Sequence, residues 1–329
     1  MNTRTYIVGR AEAGRTVADW LRHRLTLPLG DVRRLFREGR VYLGGAPCLD
    51  ASRRLQRGQR LEVRGPSVAK KTPPGADASG SPAAKPVLVY ADEHIVVADK
   101  PPGLTTMRHA EDVAEFGSRA RRFLPPTLAD LLPGLMPKDR RGRPTPVRAV
   151  HRLDNETSGL VVFARTADAE RHLGRQFRAH TTDRLYLTLV RGQAKAGRIE
   201  SVLVRDRGDG RRGGTTDPAA AGQRAVTHVR VVEELGDYTL VECRLETGRT
   251  HQVRIHLGEA GTPLCGERVY DRPVHGRPAA DASGAKRITL HAATLGFEHP
   301  ATGKRMRWTS PLPWDMQELL QKLRLGAGR

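Results

Sequence analysis

The stretch AVHRLDNETSGLVVFART, residues 149–166, sets His151, Arg152, Asp154, Asn155 and Glu156 directly ahead of an apolar run, Leu160–Ala164. A carboxylate with arginine and histidine as neighbours has the components of a nucleophile or a general acid–base. Side chains that do chemistry are commonly carried on loops held by a rigid element, and the apolar run would supply one. Residue types alone favour a plainer account: a turn in which Asp154, Thr157 and Ser158 satisfy backbone groups and Gly159 supplies an unusual dihedral.

A second cluster is LETGRTHQVRIHL, residues 245–257. Alternation sets Thr250, Gln252, Arg254 and His256 against His251, Val253, Ile255 and Leu257. That pattern predicts a strand from which Arg254 projects toward a site. His251 and His256 would then fall on opposite faces, with no carboxylate or thiol to complete a metal set, so no metal is expected. A third candidate is Tyr186 in RLYLTLVRG (184–192), which as a lone tyrosine in a strand reads first as packing.

The elements that must position these residues follow from hydrophobic period. VADWLRHRL (17–25) and VRRLFREGR (32–40) have apolar residues at helical spacing, VYLGGAPCL reads as a hairpin about Gly44-Gly45, and LQRGQRLEV (55–63) reads as a strand. Residues 66–85, rich in Pro, Gly, Ser and Ala, read as a flexible linker. Beyond it, strands are expected at 87–104 (two, joined at Asp92-Glu93), 158–166, 184–192, 225–235, 238–246 and 287–299, with helices at 167–180 and 318–325. The proline-rich stretch between the second strand and residue 158 reads as loop, and 205–224 as an exposed insertion, solvated rather than touching a ligand. Strands dominate and repeated βαβ units are missing, so the expected class is α+β. The division is a small basic domain at 1–65, a linker at 66–85, and a domain with a mostly antiparallel mixed sheet at 86–329.

Charge points to a partner. The 329 residues carry 56 Lys+Arg against 36 Asp+Glu, a formal charge of +20. Residues 1–65 hold 14 basic and 6 acidic groups, a net charge per residue about three times that of residues 86–329. Such concentration is expected of a phosphate-binding face of a nucleic-acid module, with Arg33, Arg34, Arg37 and Arg40 as candidate contacts. No apolar run approaches the roughly 20 residues of a membrane span, so no membrane partner is expected. The N-terminal residues do not read as a secretory signal. Three cysteines, far apart and odd in number, exclude a disulfide scaffold and a four-cysteine zinc site, and suit a reducing, cytoplasmic setting. Oligomeric state is not readable.

HRLDNETSGL (151–160) and TGRTHQVRIHL (247–257) together closely resemble the RluA-type family of RNA pseudouridine synthases. The resemblance continues, in the family's order, through DEHIVVADKPPGL (92–104), RLYLTLVRG, GTPLCGERVYD (261–271) and LHAATLGFEHPATG (290–303), covering residues 86–325. Residues 1–65, with their helix pair and G-x-V-x-L-G-G hairpin, resemble more loosely the RNA-binding module named for ribosomal small-subunit protein four.

The resemblance implies isomerisation of uridine to pseudouridine in structured RNA, most readily large-subunit ribosomal RNA, without a cofactor. Asp154 aligns with the catalytic aspartate, acting at C1′ or C6 or through a glycal; Arg254 with the basic residue that orients it; Tyr186 with the aromatic residue that stacks on uracil. Arg152 aligns with the arginine that contacts RNA where the base has left its stack. His151, typical of the motif, is a candidate RNA contact or a brace for the loop. Departures from the family pattern are Asn155, Arg184, Glu267 and Asp271, which bear on RNA contacts and loop shape. Three other readings remain: a synthase acting on transfer RNA, a non-catalytic ribosome-assembly factor on the same scaffold, and a glycosidase. The last lacks a second carboxylate with a motif-level claim beyond the adjacent Glu156.

Overall fold

The computed structural model describes residues 3–27, 29–48, 50–64, 85–108, 125–137, 142–215, 221–272, 276–278 and 280–327. The linker read at 66–85 lies outside them except for Lys85. The chain divides into two compact units. Residues 1–80 are joined in the first unit by 201–224 and 268–278, and the second holds 81–200, 225–267 and 279–329.

In the first unit, β1 (Thr3–Ile7), β4 (Arg60–Arg64), β2 (Val41–Leu43) and β3 (Ala46–Pro47) form a sheet in that order. Helices α1 (Val17–Leu25) and α2 (Leu29–Arg37) accompany it. Thr16 caps α1 by accepting from the Asp19 amide, and Val17, Trp20, Leu21, Val32, Leu35 and Phe36 pack with Val41, Leu61 and Val63 in one core. The hairpin at Gly44-Gly45 is present, whereas the strand expected at 55–63 is formed only from Arg60. A strand at 3–7, unread in the sequence, pairs with it.

Residues 201–215 of this unit depart from the expectation of a solvated insertion. Val202–Val204 pair with Gly213–Thr215, the Arg54 amide donates to the Gly210 carbonyl (3.1 Å), and Gln56 Nε2 donates to that of Gly208 (3.1 Å). Glycine is required at 210, because a Cβ would stand 2.7 Å from the Arg54 carbonyl oxygen and φ is +78°.

The second unit is built on β5 (Val87–Ala91), β6 (Ile95–Lys100), α3 (Leu128–Leu135), β7 (Arg148–Ala149), β8 (Ser158–Ala164), α4 (Ala167–Ala179) and β9 (Asp183–Arg191). After β10 (Gly197–Val204) and β11 (Gly213–Thr215) come β12 (Gln223–Leu235), β13 (Tyr238–Leu245), α5 (Gln252–Glu259), β14 (Leu290–Glu298), β15 (Arg305–Thr309) and α6 (Trp314–Ala327). The sheet runs β12-β13-β9-β14-β8-β6-β5, with β15 beside β14 and β7 beside β8. The registered pairs of this run are antiparallel except β14 with β8, which is parallel. That is the mostly antiparallel mixed sheet expected.

Strand β8 is buried along its whole length. Leu160, Val162 and Ala164 pack on Ala169 and Leu173 of α4, while Val161 and Phe163 pack on Leu128 and Leu132 of α3. Period-two alternation therefore serves two apolar faces, which explains the uninterrupted run. Helix α3 falls within the stretch read as loop. Thr127 and Asp130 form a capping box that starts it despite Pro133.

The other difference is α5. Residues 252–259 are helical, not extended, and the helix is buried on every side. Val253, Ile255 and Leu257 satisfy a strand's alternation, and a helix surrounded by protein leaves no polar face to betray its own period. Among the described residues no helix is long and apolar enough to cross a membrane.

Candidate active site

Asp154 sits in the loop between β7 and β8, and the backbone on both sides of it is clamped. Thr106 Oγ1 donates to the Leu153 carbonyl (2.7 Å) and accepts from the Leu153 amide (3.1 Å). Lys100 Nζ donates to the carbonyls of Asn155 (3.0 Å), Pro101 (3.0 Å) and Leu104 (2.8 Å). Asn155 Nδ2 donates to the Gly103 carbonyl (2.9 Å) and Thr105 Oγ1 (3.0 Å). Arg287 Nη1 donates to the Glu156 carbonyl (3.0 Å), and its Nε and Nη2 hold Asp315 of α6 at 2.6 and 3.0 Å. Gly159 lets β8 approach β14: with φ +110°, its Cβ would stand 2.4 Å from the Ala292 carbonyl oxygen.

Asp154 lines a cavity of about 310 Å³ with Arg152, Arg184, Tyr186, Arg249 and His251. This is at the small end of the roughly 300–1,000 Å³ of ligand pockets, a size suited to one base and its sugar. Arg254 reaches Asp154 from α5, Nη1 to Oδ2 at 3.6 Å, and His251 Nε2 stands 3.7 Å from the same oxygen. Burial pushes the Asp154 carboxyl up. The charges of His251, when protonated, and of Arg254 and Arg152 outweigh it, together with a hydrogen bond from Arg254, and hold the carboxyl below the usual aspartate range. The group is an anion at neutral pH.

Tyr186, on β9 opposite Cys243 and Ala292, is half-buried. Burial pushes its hydroxyl up, the Asp154 charge adds to this, and Arg184 opposes it. The phenol therefore stays protonated and can donate to, or relay protons near, a base in the cavity. His151 is placed as a brace. Its Nε2 accepts from the Val162 amide (3.0 Å), its ring stacks on Phe177 at 4.4 Å, and burial with the nearby Arg184 pulls its pKa down to about 3. Arg152 is exposed on the cavity wall.

The structure thus brings Asp154, Tyr186, Arg254, Arg152 and His151 together. Of the candidates in the first unit, Arg34 pairs with Asp31 (3.0 Å), and Arg40 pairs with Glu38 (3.1 Å) and donates to the Arg64 carbonyl. Arg33 and Arg37 lie on α2, with side chains outside the described residues. Two contributors carry no role in the sequence reading: His251 faces Asp154 and Lys100 fixes the loop. Two more, expected to bear on RNA contacts and loop shape, have specific partners: Asn155 fixes the loop and Glu267 holds Arg254. Lys100 is findable as the lysine that closes the strand IVVADK just ahead of Pro101-Pro102. Among the described residues no group of three His, Cys, Asp or Glu is placed to hold a metal ion.

An aspartate held below the usual carboxyl range, set beside arginine and a protonated tyrosine on the wall of a cavity of about 310 Å³, is equipped for nucleophilic or acid–base chemistry on a bound ligand. Residues 94–259 match the family described as RNA pseudouridylate synthase, and the chain belongs to that family. It is 37% identical over 238 residues to the ribosomal large subunit pseudouridine synthase D of Zymomonas mobilis, covering 72% of each chain. It is also 37% identical to the protein of that name from Neisseria meningitidis serogroup B, covering 73% of this chain and 62% of the relative's length. With the uncharacterized RNA pseudouridine synthase YlyB of Bacillus subtilis it shares 33% identity over 89% of this chain and 88% of that one. The fold resembles human RNA pseudouridylate synthase domain containing 4, with a TM-score of 0.56 and 24% identity over 72% of this chain and 93% of that chain.

Proposed function

We propose that this chain isomerises uridine to pseudouridine in large-subunit ribosomal RNA, with Asp154 as nucleophile. The observation that carries the reading is Asp154 held ionised at the wall of a nucleoside-sized cavity, 3.6 Å from Arg254. The target uridine first leaves its stack, at a cost of roughly a few kcal/mol. Arg152, exposed beside the cavity, is suited to the space the base vacates. Asp154 attacks C1′ or C6 and the N1–C1′ bond breaks; uracil turns, a C5–C1′ bond forms, the bond from Asp154 to C1′ or C6 breaks to return the carboxylate, the C5 proton is lost and N1 gains one. Tyr186 stacks on the ring, and its hydroxyl relays the C5 proton, giving up its own proton as it accepts that one. No electrons are exchanged with an outside partner.

The names of the relatives support ribosomal RNA as substrate. Residues 1–65, whose sheet, helix pair and charge suit a phosphate-binding module, engage the same RNA and raise its local concentration at the cavity. The three buried, free cysteines suit a cytoplasmic setting. Mapping pseudouridines across total RNA with and without the gene, and with Asp154→Asn restored, tests the reading. One or more sites in large-subunit RNA should vanish on deletion and stay absent with the variant. An unchanged map would overturn it, and loss confined to transfer RNA would move the substrate there.

A further inference from the structure

Arg184 projects from β9 two residues before Tyr186, so the two side chains share one face of the strand, from Cα atoms roughly 7 Å apart. Its side chain is buried, with the residue 7% exposed, and lies on the wall of the Asp154 cavity. Its protein contacts are few. Nη2 donates to the Glu246 carbonyl (2.9 Å), the guanidinium carbon stands 5.7 Å over the Phe177 ring, and buried Nε has no hydrogen-bond partner. Among the described residues no carboxylate pairs with it. Of its neighbours, Tyr186 favours its charged form, and the guanidinium of Arg249, on the same wall, opposes it. Gly248 keeps the backbone clear of Nη1, which would stand 2.3 Å from a Cβ there.

A buried guanidinium without an anion is unfavourable, and a neighbouring guanidinium makes it more so. Both costs are relieved by an anion in the cavity. Uracil and ribose are neutral; the anion a nucleotide brings is its phosphate. We infer that Arg184, with Arg249 beside it, forms the subsite for a phosphate flanking the everted uridine, so that one face of β9 reads base and backbone together. This rests on the isomerase reading for the identity of the nucleotide, and on the unpaired guanidinium for the site itself. Burial, which pulls the Arg184 pKa down, is consistent with a cation awaiting a counter-ion.

The test uses the full chain and an RNA hairpin whose loop carries the target uridine, made either wholly with phosphodiesters or with a neutral methylphosphonate on one side of that uridine. With wild type, one of the two methylphosphonate positions should weaken binding and raise KM by roughly tenfold or more, the worth of a hydrogen bond to a charged group. Arg184→Gln should show a similar loss on the phosphodiester RNA and no further loss on the methylphosphonate RNA. Arg184→Lys, which keeps the charge, should retain part of the discrimination. Wild type indifferent to both methylphosphonates would overturn the subsite, as would an undiminished penalty in Arg184→Gln. Should that variant fail to fold, wild type and Arg184→Lys still decide. If pseudouridine forms equally from all RNAs, the subsite falls and the isomerase stands. If none forms but binding discriminates through Arg184, the subsite stands and the isomerase falls.

Discussion

Glu267 grips Arg254 by two bonds, Nε to Oε2 at 2.7 Å and Nη2 to Oε1 at 3.0 Å, and so presents the guanidinium edge that reaches Asp154. The Glu267 side chain is fully buried, and its carboxylate has one geometry in which to hold the fork. Arg254 thereby acts through Asp154 as a positioning residue. Glu267→Gln should lower kcat by about ten- to a hundredfold with little change in KM, because the nucleophile's orientation rather than RNA contact is lost. Glu267→Asp, which keeps the charge on a shorter arm, should recover part of the rate. Tritium release from C5-labelled uridine in RNA measures both; equal kcat for wild type and Glu267→Gln would show that Arg254 needs no such anchor. Losing one partner of a buried pair should also cost about 3–5 kcal/mol of stability.

His251 makes the charge state of the nucleophile sensitive to its neighbours. The Asp154 carboxyl, held below the usual aspartate range, should stay ionised well into acid, so the acid limb of the kcat/KM profile, which reports the free enzyme, should lie below that of an ordinary aspartate. For a carboxyl with a lowered folded pKa, the stabilising contribution is full above its unfolded value and fades as pH falls through the folded one. His251→Asn removes the leading opposing charge and should move that limb upward. Carboxyl chemical shifts followed by NMR through the titration would report the same displacement, and an unmoved titration would remove His251 from the site's electrostatics.

Much of this arrangement was legible in the chain and some was not, for reasons that lie in particular residues. Asp154 stands in a motif long enough to be specific, and Leu160–Ala164 announces its strand by five apolar residues, so the loop and its support could be read together. Arg254, expected to project toward Asp154 from a strand, lies 3.6 Å from it but on a helix, since a helix buried on all sides mimics strand alternation through Val253, Ile255 and Leu257. Glu267 could not be read as the anchor of Arg254, because two residues thirteen apart meet only through tertiary folding. Helix α3 was hidden by Pro133, whose presence argues for loop until the Thr127–Asp130 capping box is weighed against it. The contact of residues 208–210 with Arg54 and Gln56 is long-range in the same way, and a Gly- and Arg-rich composition resembles a solvated loop.

Gly159 ties the fold to the site at one backbone position. Any Cβ there meets the Ala292 carbonyl, and φ of +110° is strained for other residues. Because β8 and β14 pair in parallel through Ser158–His291 and Gly159–Ala292, Gly159→Ala should part them just after the Asp154 loop. The expected cost is at least ~2 kcal/mol in urea unfolding, with kcat falling further than stability alone explains. A variant of wild-type stability would mean that β14 can withdraw without consequence.

Lys100 supplies the sharpest test of how the Asp154 loop is held, because its ammonium is fully buried and donates to three carbonyls rather than to a carboxylate. Burial, reinforced by the charge of Arg287 and opposed by Asp154 and Asp99, brings its pKa down to about 7. In the unfolded chain a lysine binds its proton up to about pH 10.4. Between these values the unfolded state holds more protons, so this group's contribution to stability rises with pH, opposite in sign to that of a lysine gaining a carboxylate partner. The free-energy difference between wild type and Lys100→Met should therefore shift in favour of wild type from pH 7 to pH 10, read from urea unfolding at each pH. Over the same interval wild-type kcat should decline as the neutral amine loses one of its three donors and the loop loosens, a decline that Lys100→Met, already lacking them, does not show. A wild-type advantage that stays constant or shrinks across the interval would mean that the amine keeps its proton and that the clamp on Asn155 is indifferent to pH.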